Sequence, residues 1–221
     1  MSEIIETLRE LETANLSDAQ CKVNGGNNTG CFSGTGIRNM NPLSGAVCGY
    51  AVTCTAVTAG PTKGPRITPQ LYEKIESSAK PVVVAIQGID PDPEHSTVFG
   101  GRMTAISRKL GACGIVTNAG VRDLNDIVSE GIGCYAAGVC PSSGAFTIKE
   151  IDVPVEIGGA RIKPGDIVHG DRDGFIVLED GPDLSDILNL AREIRKEEQT
   201  YIEFLNSPEF SISELVRRFY R

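Results

Sequence analysis

The chain has 221 residues, a formal net charge of −8 and no Trp. Such an acidic chain is poorly suited to a nucleic acid, whose phosphates are held mainly by Lys and Arg. The composition is globular, with 40% hydrophobic and 23% charged residues, and no apolar run reaches the roughly 20 residues that cross a bilayer. We therefore expect neither a nucleic acid nor a membrane as partner.

The seven cysteines indicate reduced thiols rather than disulfides or a zinc site. Their number is odd, none forms a Cys-x-x-Cys pair, and the chain has only two histidines. The first residues are acidic where a secretion signal is basic and then apolar. These features predict a cytoplasmic protein.

The first third of the chain predicts helices around a glycine-rich loop and one strand. Apolar residues at spacings of three and four favour helices, and small and β-branched residues favour the strand. In chain order these are a helix at 3–14, a turn at 16–18 into a second short helix, a loop at 24–36, a strand at 44–57, a loop at 58–68 and a helix at 69–79.

The middle of the chain alternates between strands and helices. Its strands are continuous apolar runs, which is typical of parallel strands covered on both faces. The predicted order is a strand at 81–86, a loop at 88–97, a helix at 99–111, a strand at 113–117, a loop at 118–122, a helix at 123–131 and a strand at 134–139.

After residue 150, short apolar runs between turn sequences predict an antiparallel meander, followed by helices at 183–205 and 211–220. The whole pattern predicts an α/β fold, a layered sandwich with an extended C-terminal helix. The apolar stripe of the 183–205 helix requires a partner surface, either in the same chain or in a neighbouring subunit.

The first candidate site is the segment Gly100, Gly101, Arg102 and Met103, at the start of the helix after strand 81–86. The free N–H groups and positive dipole end of a helix start suit a carboxylate or phosphate. The structural alternative is a tight loop whose glycines need a positive φ.

The second candidate site is Arg122 and Asp123, after strand 113–117. Both candidates follow neighbouring parallel strands, whose carboxyl ends are where such sheets bind ligands. Arg122 would clamp a carboxylate and Asp123 would bind a hard divalent cation. Alternatively, Asp123 and Asp126 would cap the next helix, and Arg122 would form a surface ion pair.

Other polar residues give weaker signals. The turn sequences around Asp166, Asp171 and Asp173 favour Asp for structural reasons. His169 is expected to be a packed or edge histidine, and His95 lies in an acidic loop near the glycine-rich helix start.

Four segments, at 16–19, 36–53, 99–123 and 153–180, resemble in order the family of the regulator of ribonuclease E activity A (RraA). This family includes the divalent-metal 4-hydroxy-4-methyl-2-oxoglutarate aldolases, which also decarboxylate oxaloacetate. The resemblance implies a swivelling β/β/α core and homotrimers or hexamers with sites between subunits. It divides the chain into a domain at 1–182 and a C-terminal helical extension at 183–221 that packs on a neighbouring subunit.

The resemblance also assigns roles to residues. Arg122 would bind the pyruvyl carboxylate, Asp123 would hold Mg²⁺ or Mn²⁺, and the backbone at Gly100, Gly101, Arg102 and Met103 would bind the substrate. A carboxylate from a neighbour's C-terminal helix, Glu197 or Glu198, would approach the site.

One position departs from the family pattern. The aldolases carry an acid that serves in proton transfer, and its place is taken here by Gly101. Retro-aldol cleavage must remove a hydroxyl proton, whereas decarboxylation need not, so we expect oxaloacetate decarboxylation to be favoured over aldol cleavage. His95 is an alternative proton carrier. A non-catalytic binding or regulatory protein is the alternative function.

Overall fold

The computed structural model describes residues 3–58, 68–142, 146–179, 181 and 183–220. Part of the predicted 58–68 loop therefore lies outside the described residues. The helices are α1 (Glu3–Arg9), α2 (Thr13–Val23), α3 (Thr68–Ser77), α4 (Gly101–Lys109), α5 (Leu124–Ser129), α6 (Leu184–Leu205) and α7 (Ile212–Phe219), with a 3₁₀ turn at Pro93–His95.

The strands form one large sheet, one hairpin and one small sheet. They are β1 (Arg38–Asn39), β2 (Val47–Val57), β3 (Val82–Gly88), β4 (Thr97–Phe99), β5 (Ala112–Thr117), β6 (Gly120–Val121), β7 (Gly133–Ala136), β8 (Gly138–Val139), β9 (Thr147–Ile151), β10 (Val155–Ile157), β11 (Ala160–Ile162), β12 (Ile167–Gly170) and β13 (Phe175–Leu178).

The large sheet has the order β1-β7-β5-β3-β2-β12-β13, and β9 pairs with β2. Strands β2, β3, β5 and β7 are parallel, while the other pairings are antiparallel. Strand β3 has seven residues, and all of them except Gln87 are buried. This confirms the prediction of parallel strands covered on both faces.

Three apolar clusters cover this sheet. Helices α3, α4 and α5 pack over β3 and β5, helices α1, α2 and α6 pack over β12 and β13, and the β10–β11 hairpin packs on the opposite face of β2 and β3. The layers and the long C-terminal helix confirm the predicted layered α/β fold.

The small sheet consists of β4, β6 and β8, all parallel. Sequence analysis predicted loops at 88–97 and 118–122 and a single strand at 134–139. The predicted loop at 118–122 contains β6, and the predicted strand at 134–139 is split between the two sheets. Strands of two or three residues are too short to show periodicity, so this sheet could not be recognised from the pattern.

The predicted antiparallel meander after residue 150 was wrong in its connectivity. The first two strands, β10 and β11, form a hairpin by themselves, whereas β12 and β13 join the large sheet through β2. The predicted helix at 3–14 is likewise interrupted after Arg9. The second helix begins at Thr13, whose N–H donates to Asp171 Oδ2 at 2.8 Å, a partner 158 residues away.

The buried residues of α6 contact the same chain. Leu184, Ile187, Leu188, Ala191 and Ile194 belong to the cluster with α1, α2, β12 and β13. Further along the helix, Ile202 is 57% exposed. The division into 1–182 and 183–221 and the contact with a neighbouring subunit remain predictions. No helix within the described ranges is long and apolar enough to cross a membrane.

His169 lies fully buried in β12, as expected for a packed histidine, and its Nδ1 is 3.1 Å from Thr13 Oγ1. Burial lowers the pKa of His169 to about 4, against about 6.5 in an unfolded chain. As the pH falls between these values, only the unfolded chain takes up this proton. The contribution to stability is therefore complete above about pH 6.5 and is lost towards about pH 4.

We expect the free energy of unfolding to fall by roughly 3 kcal/mol across this window because of His169, since one pKa unit corresponds to about 1.4 kcal/mol. Chemical denaturation of the wild type and of His169→Asn at pH 7, 6 and 5 measures the effect. The variant should lose less stability per pH unit than the wild type. The same slope in both proteins would show that His169 does not titrate in this way.

Candidate active site

The pairing of β4 with β6 brings the two candidate segments together. Phe99 and Val121 are partners in this parallel pair, and the Arg122 N–H donates to the Phe99 carbonyl oxygen at 3.0 Å. The next residues, Gly100–Gly101 on one strand and Arg122–Asp123 on the other, are therefore neighbours. The site therefore lies at the carboxyl ends of the small-sheet strands β4 and β6. Each of these strands follows, along the chain, one of the large-sheet strands β3 and β5 from which the site was predicted.

The two glycines allow close contact rather than an unusual backbone. Gly100 is extended, with φ −160°, and neither glycine has a positive φ, so the tight-loop alternative was wrong. A Cβ at Gly100 would lie 2.9 Å from Asp123 Oδ2 and 3.0 Å from Arg122 Cγ. A side chain here would displace the two residues predicted to do the chemistry.

Asp123 is directed towards the start of α4 rather than towards its own helix. Its Oδ2 accepts a hydrogen bond from the Gly101 N–H at 2.9 Å, and it makes no side-chain capping bond to α5. The positive end of the α4 dipole stabilises a carboxylate in this place. Asp123 has φ 55°, a left-handed conformation that is uncommon for a residue other than Gly. The capping alternative was therefore wrong for Asp123.

Arg122 lies beside this carboxylate, with 3.6 Å between its Nε and Asp123 Oδ2. Both side chains are about 40% exposed, at 38% and 44%, so the ion pair contributes little to stability. Its other guanidinium nitrogens make no hydrogen bond to the described residues. The planar fork is therefore available to a carboxylate ligand.

Asp126 is a site residue that the sequence analysis missed. A Cβ built on Gly101 would lie 2.1 Å from Asp126 Oδ2, so this carboxylate occupies the space into which a side chain at position 101 would extend. A carboxylate from α5 therefore lies in the place towards which the acid expected from the family pattern would extend. The available signal was its position three residues after Asp123, which we interpreted as a helix-start preference.

These residues line one cavity of about 640 Å³, which is within the size range of small-molecule sites. All the predicted site residues border it: Gly100, Gly101, Arg102, Met103, Arg122 and Asp123. Asp126 also lines it, and Tyr72, Ile106 and Phe146 contribute apolar surface.

The donor set fits a hard divalent cation. The two carboxylates of Asp123 and Asp126 approach the same glycine, and Mg²⁺ commonly takes one or two protein carboxylates and keeps several waters. In the part of the chain that the structure describes, no three His, Cys, Asp or Glu residues are grouped as metal ligands.

The remaining candidates lie elsewhere. His95 does not border the cavity, so the structure gives no support to its role as a proton carrier. Asp171 and Asp166 accept hydrogen bonds from backbone N–H groups in their turns, as their sequence context predicted. Glu198 accepts a hydrogen bond from Asn15 Nδ2 at 2.8 Å, and both Glu197 and Glu198 line a separate groove between α6 and α7.

Comparison with known proteins bears on the family and the fold of this chain. The family model described as RraA-like, aldolase/RraA, matches residues 13–177. The chain belongs to the RraA-like family. One similar protein is a 4-hydroxy-4-methyl-2-oxoglutarate aldolase of Thermus thermophilus. It is 30% identical to this chain over 89 residues, which are 40% of this chain and 54% of the aldolase. The matched segments span about half to three fifths of the curated relatives compared.

Solved structures share the RraA-like fold. RraAS2 of Streptomyces coelicolor, described as an unusual member of the RNase ES inhibitor RraA protein family, has a TM-score of 0.71 at 21% identity and covers 90% of this chain and 96% of its own. A protein of Pseudomonas syringae has a TM-score of 0.78 at 23% identity, and the match covers 98% of this chain and 93% of that protein. At these identities the likeness establishes the fold alone.

Proposed function

We propose that this RraA-like protein is a divalent-metal-dependent carbon–carbon lyase that acts on small 2-oxo acids. Oxaloacetate decarboxylation is the favoured reaction, ahead of 4-hydroxy-4-methyl-2-oxoglutarate cleavage. The supporting observation is the convergence of Arg122, Asp123 and Asp126 on the glycine start of α4. The aldolase name of the Thermus thermophilus relative supports the reaction class.

Each residue has a role that follows from its chemistry. The Arg122 fork binds the carboxylate next to the 2-oxo group through two parallel hydrogen bonds. The backbone N–H groups at Arg102 and Met103, in the first turn of α4, are donors without helical acceptors and suit the same anion. Asp123, oriented by the Gly101 N–H, is the protein ligand of Mg²⁺ or Mn²⁺. The cation supplies Lewis-acid stabilisation of the charge that develops on the 2-oxo group.

The preference for decarboxylation rests on the different proton requirements of the two reactions. Decarboxylation removes no proton from a substrate hydroxyl, whereas aldol cleavage does. Asp126 is the carboxylate nearest to the position of the family's proton-transfer acid, but it extends from α5 rather than from α4. Because a transferring group must be placed closely, aldol cleavage depends more strongly on this changed geometry.

The proposal includes a homotrimer or hexamer in the cytoplasm. Exposed apolar side chains on α6 and α7 support a contact with a second copy, among them Ile202, Ile212 and Val216, which are 57%, 67% and 47% exposed. In such an assembly, Glu197 or Glu198 of a neighbour would approach the site. All seven cysteines are unpaired, which suits a reducing compartment.

A second candidate is a non-catalytic binding or regulatory protein. The net charge of −8 favours this reading because it suits a basic partner, and the matching family description, aldolase/RraA, covers both kinds of protein.

The deciding experiment measures pyruvate release from oxaloacetate with Mg²⁺, with Mn²⁺ and with a chelator. We expect turnover above the rate of the metal alone in solution, and its loss with the chelator. Oxalate with Mg²⁺ should also raise the melting temperature of the protein, because it binds the folded state. Absence of both turnover and an oxalate-dependent shift would contradict the lyase and favour the binding protein.

A further inference from the structure

The cavity contains a second guanidinium that the proposed chemistry does not use. Arg102 lies in the first turn of α4 and lines the same cavity as Arg122 and Asp123. Arg122 has Asp123 as its ion-pair partner. Arg102 has no carboxylate within 4.0 Å among the described residues, so its positive charge is not compensated by the protein there.

Tyr72, on α3, lines the same cavity as Arg102. It packs against the apolar cluster below α3 and α4. Its hydroxyl makes no hydrogen bond to any described residue. Burial raises the pKa of Tyr72 while the charge of Arg102 lowers it, which places the two groups within electrostatic reach of one another. Together they offer a cation and a neutral donor to an anion.

The charges around the cavity indicate which anion. Among the described residues, its charged lining residues are two arginines and two aspartates: Arg102, Arg122, Asp123 and Asp126. Their formal charges cancel, so a divalent cation would leave two positive charges. A substrate with one carboxylate neutralises only one of them, whereas a substrate with two carboxylates neutralises both.

We infer that the Arg102 guanidinium and the Tyr72 hydroxyl bind the distal carboxylate of a 2-oxo diacid, while Arg122 binds the carboxylate next to the 2-oxo group. Arg102 and Tyr72 are then the residues that select diacids over monoacids. This inference rests on the proposed function, because it requires the 2-oxo acid to occupy this cavity.

The test compares two unreactive probes that differ by the distal carboxylate. Pyruvate is the monoacid, and 2-oxoglutarate is a diacid that lacks the β-carboxylate removed in decarboxylation. Calorimetric titration with Mg²⁺ present gives the Kd of each probe for the wild type, Arg102→Gln, Tyr72→Phe and Arg122→Lys. Oxaloacetate turnover by the wild type is measured in parallel as the test of the proposed function.

We expect the wild type to bind 2-oxoglutarate more tightly than pyruvate. Arg102→Gln should reduce this preference by about tenfold and Tyr72→Phe by about two- to fivefold, because the guanidinium adds the attraction of a full positive charge to its hydrogen bond, whereas the hydroxyl is neutral. Arg122→Lys, the matched control, should weaken both probes and leave the preference nearly constant, because it alters the carboxylate site that both share.

The outcomes separate the two ideas. If oxaloacetate is turned over but Arg102→Gln weakens both probes equally or neither, the selection role of Arg102 is wrong and the lyase stands. A wild type that turns over oxaloacetate but does not prefer the diacid probe also overturns the inference alone. If oxaloacetate is not turned over and neither probe binds, both proposals fail together.

Discussion

Asp123→Asn should reduce oxaloacetate turnover by about 10²-fold or more, because Lewis-acid stabilisation is worth several kcal/mol and the amide is a poor ligand for a hard cation. The substitution is nearly isosteric. The amide oxygen can still accept the Gly101 N–H, and Asn tolerates the left-handed backbone found at φ 55°. The loss should therefore reflect the missing charge rather than a changed fold.

Two measurements separate these causes. Titration of Mg²⁺ should show weaker binding to Asp123→Asn, while the melting temperature in chelator should stay close to that of the wild type. Asp173→Asn is the control, since Asp173 is exposed and lies outside the cavity. Unchanged turnover and metal affinity in Asp123→Asn would remove Asp123 as the metal ligand.

Asp126→Asn should slow aldol cleavage much more than it slows decarboxylation. We expect the cleavage of 4-hydroxy-4-methyl-2-oxoglutarate to fall by about 10²–10⁴-fold, the usual cost of losing a proton-transfer group, and decarboxylation to fall by less than about tenfold. The reason is the place of the Asp126 carboxylate, beside Gly101 at the start of α4. Initial rates on both substrates with saturating Mg²⁺ provide the comparison.

A double variant extends this comparison. Gly101→Asp alone would force the Asp126 side chain to move, because the new Cβ would lie 2.1 Å from Asp126 Oδ2. Combining it with Asp126→Gly moves the carboxylate to α4 and frees the space. Aldol cleavage should recover relative to Asp126→Asn. Equal losses of both reactions in Asp126→Asn would instead assign Asp126 to the binding of the shared metal or substrate.

The sequence predicted which segments would lie together because two local signals coincided. Apolar runs at 81–86 and 113–117 predicted parallel strands, and polar or glycine-rich segments followed each of them. Parallel strands bring such segments to one edge. Arg122 and Asp123 do meet the start of α4, as this reasoning requires.

The rest depended on contacts between residues distant in sequence. The small sheet consists of strands of two or three residues, which carry no periodic signal. The start of α2 is fixed by Asp171, far along the chain, and the role of Asp126 depends on the packing of α5 against α4. None of these contacts follows from local propensity or spacing.

The β4–β6 pair joins the halves of the site through main-chain atoms. Main-chain hydrogen bonds depend little on which side chains the strands carry. The side chains around the cavity can therefore be changed without changing the backbone that positions them. Exchanging side chains around the cavity should therefore change which small molecules the protein binds and leave its architecture intact. Inserting or deleting one residue within β4 or within β6 would instead shift the register of this pair. Gly100 and Gly101 would then no longer lie beside Arg122 and Asp123.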